Sequence, residues 1–434
     1  MKARFFAIVC VFGMVCAGAL DAAETKVPMD GPAKNGSPGW YIAGSAADPE
    51  GPLAPPRAGR AGVAEAGGGE EGGGAGRVSG YPPRCAHSIV CEMDGTRGGG
   101  VSAGEEGNRT VWKHTPGLSY SVSYPFDLPA GGGDVASVAV DSKDNVWIYQ
   151  RNKPENPALF KFGPDHKLLF TIPSDVYDHS GPFRAHGMNV DPEDNVWIAD
   201  EAGAVVEKFS ADGKHLLTLG TKGRRGDWDE AKGQRLLWEP VALAFNNQNG
   251  DVYIFEGHGD QSPNDVGSSD TANTIGAARV LHLDKNGNFI NQWYGNARGP
   301  GKFNNTHGSA VDPDTGDVWV GDRQDYRIVV FNANGQFIRT IQSRNLICAL
   351  YFDKHPGARH GQLWQATGQD GQIVRIDRNA KVLFVAGGTR KSLAPDHFSE
   401  ATYLGADSKG NLMVGDTQNS RATELSPPAK AGKN

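Results

Sequence analysis

His186-Gly-Met-Asn-Val-Asp-Pro-Glu-Asp-Asn-Val-Trp-Ile-Ala-Asp200 returns later in the chain as His307-Gly-Ser-Ala-Val-Asp-Pro-Asp-Thr-Gly-Asp-Val-Trp-Val-Gly-Asp322. Four weaker copies keep the same frame: Val138-Ala-Val-Asp141 before Asn145-Val-Trp-Ile148, Leu243-Ala-Phe-Asn246 before Asp251-Val-Tyr-Ile254, Leu350-Tyr-Phe-Asp353 before Gln362-Leu-Trp364, and Leu404-Gly-Ala-Asp407 before Asn411-Leu-Met-Val414. The Asp or Asn anchors fall at 141, 191, 246, 312, 353 and 407, near the period of propeller blades. In each unit two short apolar runs flank turn formers that pre-set a tight reversal between antiparallel strands. In the second unit Ala204-Val-Val-Glu-Lys-Phe209 and His215-Leu-Leu-Thr-Leu219 add a third and a fourth strand across Ser210-Ala-Asp-Gly213. One such meander cannot bury both of its faces, but six packed in a closed ring can, and closure protects the edges. The reading is all-β: a six-bladed β-propeller over 119–426, with 427–434 as a tail.

The last unit supplies only three strands, around Leu404, Met413 and Thr423, before Pro427-Pro428. Ser119-Tyr-Ser-Val-Ser-Tyr-Pro-Phe126 alternates as an exposed strand would, so it is expected to supply the fourth and close the ring; the alternative is a loose arm.

Met1-Lys-Ala-Arg4, the apolar run from Phe5 to Val15, and Ala17-Gly-Ala19 read as a secretory signal peptide over 1–23, too short to remain as a membrane span. A periplasmic or secreted protein is expected, with no integral membrane segment after cleavage. Residues 24–110 contain Ala64-Glu-Ala-Gly-Gly-Gly-Glu-Glu-Gly-Gly-Gly-Ala-Gly76 and few aromatics, a composition that cannot offset the entropy cost of a packed core. This part reads as a linker or disordered arm, in which Cys85 and Cys91 either form a small disulfide loop or stay free. A formal charge of −7 without a Lys/Arg block argues against nucleic acid and anionic membranes as partners.

The first strand of each propeller blade lines the central channel. Counting five back from each anchor gives an axial ring of Ala136, His186, Val241, His307, Cys348 and Thr402. The histidines stand on blades two and four; ligands on blades two, four and six would approach one ion from three sides. Zinc or another transition metal is the expected occupant, held by His186 and His307. Thr402 stands at the third place, and Cys348 is soft enough to help if its thiolate can reach. The competing readings are packing histidines bonded to backbone and an inert buried thiol.

The His-Gly-x-x-Val-Asp units, Asp322-Arg323 and Ile148-Tyr-Gln-Arg151 resemble the peptidyl-α-hydroxyglycine α-amidating lyase propeller, built from NHL-type repeats, over about 120–425. The resemblance implies cleavage of an α-hydroxyglycine carbinolamide to an amide and glyoxylate. It implies a zinc held by three axial histidines, two of them His186 and His307, with Arg151 and Arg323 on the substrate carboxylate. The family's tyrosine base falls at His258, able to serve as a base near neutral pH. Its third zinc histidine falls at Thr402. Its structural calcium would use the carbonyls of Val138 and Met188 and a carboxylate where Tyr403 stands, so calcium is not expected. Arg151 and Arg323 alternatively form rim salt bridges with Glu201, Glu256 or Asp322. The stretch 260–273 after His258 is a solvated loop or a lid over the channel.

Two functions follow from different classes: an exported lyase acting on a small-molecule or peptide substrate through a modified metal site, or a non-catalytic propeller presenting loops to a protein or glycan. A calcium-dependent lactonase ranks last, because the axial ring carries no carboxylate or amide.

Overall fold

The computed structural model describes residues 120–427, apart from 129–132, 152–156, 174–183, 258–277, 296–299, 304, 324–325, 344, 355–360, 369 and 388–397, together with the backbone of 40–42. Five consecutive four-stranded antiparallel meanders span Val135–Ile172, Ala185–Gly220, Pro240–Tyr294, Ala310–Gln342 and Ala349–Gly387. The sixth is built from Ala401–Ala406, Leu412–Asp416 and Arg421–Ser426, and its outer strand comes from the other end of the chain. Ser121–Ser123 pairs antiparallel with Arg421–Ser426, Val122 opposite Leu425. The ring is thus closed by a strand from before the first blade: a six-bladed β-propeller.

The repeat anchors act as turn clamps. Asp141 Oδ1 accepts the backbone N–H groups of Lys143 and Asn145, and Asp191 and Asp407 do the same in their own units. A carboxylate that binds the backbone two and four residues ahead fixes the reversal, which is why Asp or Asn recurs there. In the four blades whose second strand carries a Trp, a cation of the same blade caps the ring. Lys161 stands 4.7 Å from the Trp147 ring centroid, Lys208 4.8 Å from Trp197, Arg339 5.1 Å from Trp319 and Arg375 5.1 Å from Trp364. The apolar residues of the repeat fill the layers between blades: Val196, Ile198 and Phe209 of blade two pack with Trp147, Tyr149 and Leu159 of blade one in a single cluster.

Between blades two and three, Trp228–Asp229 and Gln234–Arg235 form a short extra hairpin around a 3-10 turn. Within the stretch read as a linker or arm, Trp40–Ile42 is a strand that adds in parallel to the outer strand Phe337–Gln342 of blade four. The stretch 1–23 read as a signal peptide, Cys85 and Cys91, and the remainder of that arm lie outside the described residues, as do His258, the 260–273 stretch and the tail beyond 427. Among the described residues no helix is long and apolar enough to cross a membrane.

Candidate active site at the axial channel

Four of the six axial residues sit where the innermost strands break their regular pairing. Register shifts fall between Val135 and Ser137, Ala185 and Met188, Pro240 and Ala242, and Ala401 and Leu404, bracketing Ala136, His186, Val241 and Thr402. His307 lies just before the short strand Ala310–Val311. A bulge of this kind re-aims a side chain, here towards the axis. All six residues are buried.

Alternate blades use that position in one way. His186 Nδ1 lies 2.7 Å from the carbonyl oxygen of Val241, and His307 Nδ1 lies 2.5 Å from that of Cys348. Thr402 Oγ1 donates to the carbonyl of Ala136 at 3.2 Å. In blades two, four and six, therefore, the axial side chain binds the axial carbonyl of the next blade. A carbonyl oxygen only accepts, so the neutral imidazoles carry their proton on Nδ1 and their lone pair on Nε2. The glycine after each histidine is what lets the neighbouring strand come this close. A Cβ on Gly187 would stand 2.4 Å from the Val241 oxygen, and one on Gly308 would stand 2.5 Å from the Cys348 oxygen and 2.3 Å from Ala349 Cα.

The structure brings the two histidines together, ring centroids 4.6 Å apart. Tyr403 packs on both, at 5.9 Å from His186 and, nearly parallel, at 6.2 Å from His307. Cys348 Sγ lies 3.9 Å from Thr402 Oγ1, and burial pushes its thiol up to about 12, so it holds its proton at neutral pH. As a test of fit, two imidazoles whose Nδ1–H groups are tied to backbone present the ligand form a transition metal takes, with the outer-shell partner already in place. The third place does not match: the Thr402 hydroxyl is engaged with Ala136. Among the described residues no group of three His, Cys, Asp or Glu is arranged to hold a metal ion.

Two further rings of repeat positions form the mouth around these groups. Two residues before the axial position stand Asp134, Arg184, Glu239, Asn305, Leu346 and Glu400, and just past the second strand of blades one, two, four and six stand Arg151, Glu201, Arg323 and Thr417. Backbone bonds join the rings within a blade: Arg151 N to Asp134 O, Glu201 N to Arg184 O, Arg323 N to Asn305 O, and Thr417 N to Glu400 O. Arg151 Nε donates to the carbonyl of Ala185 at 3.0 Å, and its Nη1 is 3.9 Å from Asp134. Burial, reinforced by the charge of Arg184, lowers the Arg151 guanidinium from its ordinary value, while Glu400, Glu201 and Asp134 oppose that shift. Glu201 lies 3.5 Å from Arg184 and 3.9 Å from His186 Nε2. Arg323 Nη2 reaches from blade four to Glu400 of blade six at 3.5 Å.

The rim partners expected from the sequence divide differently. Asp322 takes Arg327 at 2.7 Å, and Glu256 takes Arg279 in a fully buried pair, so Arg323 instead meets Glu400. Arg184 and Glu400 were not singled out in the sequence. Their signal was available, since each stands two residues before an axial position on the same alternate blades. His258 lies outside the described residues.

No family model matches the chain. It is 24% identical over 337 residues to peptidylglycine alpha-amidating monooxygenase of Rattus norvegicus, covering 70% of this chain and 32% of that protein, about a third of its length. It is 26% identical over 271 residues to peptidyl-alpha-hydroxyglycine alpha-amidating lyase 1 of Drosophila melanogaster, covering 56% of this chain and 46% of that one. With NHL repeat-containing protein 3 of Homo sapiens it shares 30% identity over 207 residues, 46% of this chain and 52% of that one. The sixfold repeat, the strand-closed ring and these relatives together make the chain an NHL-type six-bladed β-propeller that resembles the peptidyl-α-hydroxyglycine α-amidating lyases.

Proposed function

We propose that this propeller is an exported lyase-like enzyme that cleaves an N-substituted α-hydroxyglycine. The observation carrying the reading is the pair of imidazoles at one repeat position, their Nδ1–H groups tied to backbone, at the centre of a mouth that bears three arginines. The hydroxyl of the substrate loses its proton, the C–N bond breaks, and the nitrogen takes a proton, so an amide and glyoxylate leave. Arg151 and Arg323 hold the carboxylate, Arg323 by exchanging Glu400 for it; a planar guanidinium suits a carboxylate's two oxygens. His186 and His307 would hold a zinc-class ion through Nε2, with Cys348 or water at the place Thr402 leaves. When bound, such an ion supplies Lewis-acid polarisation of the hydroxyl. His258, at the position of the family's tyrosine, is the proposed base.

The test is glyoxylate release from an N-acyl-α-hydroxyglycine by the purified chain, with metal content measured on untagged protein. Activity lost in His186→Ala, His307→Ala and Arg323→Ala supports the reading, as does zinc affinity that rises in Thr402→His. No metal and no glyoxylate from either the wild type or Thr402→His would overturn it. The engagement of the Thr402 hydroxyl with Ala136 favours a second reading, a non-catalytic propeller that binds a protein or glycan partner; that overturning result would support it.

A further inference from the structure

Tyr403 occupies the place that blades two and four leave to glycine. His186-Gly187 and His307-Gly308 put a side chain and then bare backbone at the axis; Thr402-Tyr403 puts a hydroxyl and then a phenol there. The phenol enters the space that Gly187 leaves, for a Cβ there would stand 3.0 Å from the Tyr403 oxygen. From blade six its O–H donates to the carbonyl oxygen of Val241, on blade three, directly across the ring. The same carbonyl takes the Nδ1–H of His186 at 2.7 Å, and the Tyr403 oxygen lies 3.2 Å from that nitrogen. A second hydroxyl works nearby in the same way: Ser137 Oγ of blade one accepts from Met188 N at 3.1 Å and reaches the Met188 carbonyl at 3.4 Å, joining blades one and two.

The resemblance implies a structural cation among the Val138 and Met188 carbonyls and a carboxylate at position 403, and these residues do not fit one. The carboxylate's place is a phenol already spent on a backbone oxygen, and the Met188 carbonyl faces a hydroxyl; a hard cation needs several oxygen ligands, usually including carboxylate. We infer that Tyr403 is a cross-axis strut standing in a cation's place: it ties blade six to blade three and positions His186 from below by holding the Val241 carbonyl against Nδ1. The inference is independent of the lyase reading, since it concerns what holds the axis together.

The test uses the full chain in thermal melts with calcium or with a calcium chelator, alongside Tyr403→Phe and Tyr403→Asp. The wild type should melt at the same temperature in both conditions, with zinc held constant, because no calcium binds the native state. Tyr403→Phe keeps the ring packing and loses the hydroxyl, and its melting temperature should fall by roughly 2–4 °C. In the same variant, nitrogen-15 spectra of His186 should change from a single Nδ1–H tautomer to a mixture, a readout that packing alone would not move. Tyr403→Asp should melt higher with calcium than with chelator, because a carboxylate now joins backbone oxygens at the axis. A wild type that gains stability when calcium is added, or a Tyr403→Phe protein with unchanged melting temperature and His186 tautomer, would overturn the proposal. Both of these measurements stand even if Tyr403→Asp fails to fold.

Discussion

Blades two and four meet the channel axis with an imidazole followed by bare backbone, whereas blade six meets it with a hydroxyl followed by a phenol. All three nonetheless make the same bond, from the axial side chain to the axial carbonyl of the next blade. The difference separates two jobs that a histidine does at once. Holding the neighbouring blade needs only a donor of the right reach, which threonine retains; presenting a second nitrogen towards the mouth needs the imidazole. Blade six makes the same bond without a second nitrogen, and Tyr403 fills the volume that Gly187 leaves open.

The sharpest way to break this comparison is Gly308→Ala. The new methyl would meet Ala349 Cα at 2.3 Å and the Cys348 oxygen at 2.5 Å, both backbone atoms that cannot swing aside. A loss of about 3 kcal/mol, at the upper end of overpacking costs, is expected in the denaturant midpoint. Gly405, whose added Cβ would meet a Val140 methyl and backbone nitrogen at 3.2 Å, should tolerate alanine at well under half that cost.

His307→Ala comes next, at about 2 kcal/mol from the lost ring contacts and the lost bond to Cys348. The carbonyl itself keeps the Gly308 N–H, so the fold should survive with unchanged far-ultraviolet circular dichroism. If unfolding instead became non-cooperative, the histidine would belong to the core rather than to the mouth.

Thr402→Val preserves the shape of the side chain and deletes only the hydroxyl that reaches Ala136. It should cost about 1 kcal/mol, the net worth of one buried hydrogen bond, and a null effect would show that blade six no longer shares the tether of its alternates. Smallest of all is the response of Cys348 to alkylation. With its thiol pushed up to about 12 and fully buried, it should stay unlabelled by iodoacetamide near neutral pH until the protein unfolds. Labelling of native protein at a rate typical of free thiols would mean that the floor of the mouth is open.

Much of the architecture was legible because a repeat writes its period into the chain. The Asp anchors, the Val-Trp-Ile runs and the shortage of one strand in the last unit each follow from local turn chemistry and from the edges that an open ring would expose. The axial positions were legible for the same reason, by counting back from the anchors. The partners were not. Asp322 and Arg323 are adjacent in sequence, yet one turns inward to Arg327 of its own blade while the other crosses to Glu400 on blade six.

What the sequence determined by itself was the set of groups brought to each level of the channel, since equivalent positions in equivalent blades must form rings. What only the tertiary structure decided was how those groups pair across the ring: Tyr403 with Val241, Arg323 with Glu400, and His186 with His307. Those pairings join residues 77 to 162 positions apart, and no local periodicity encodes them. They depend on how far each bulge turns its side chain and on which volumes the glycines leave empty, quantities that exist only once six sheets have closed on one another.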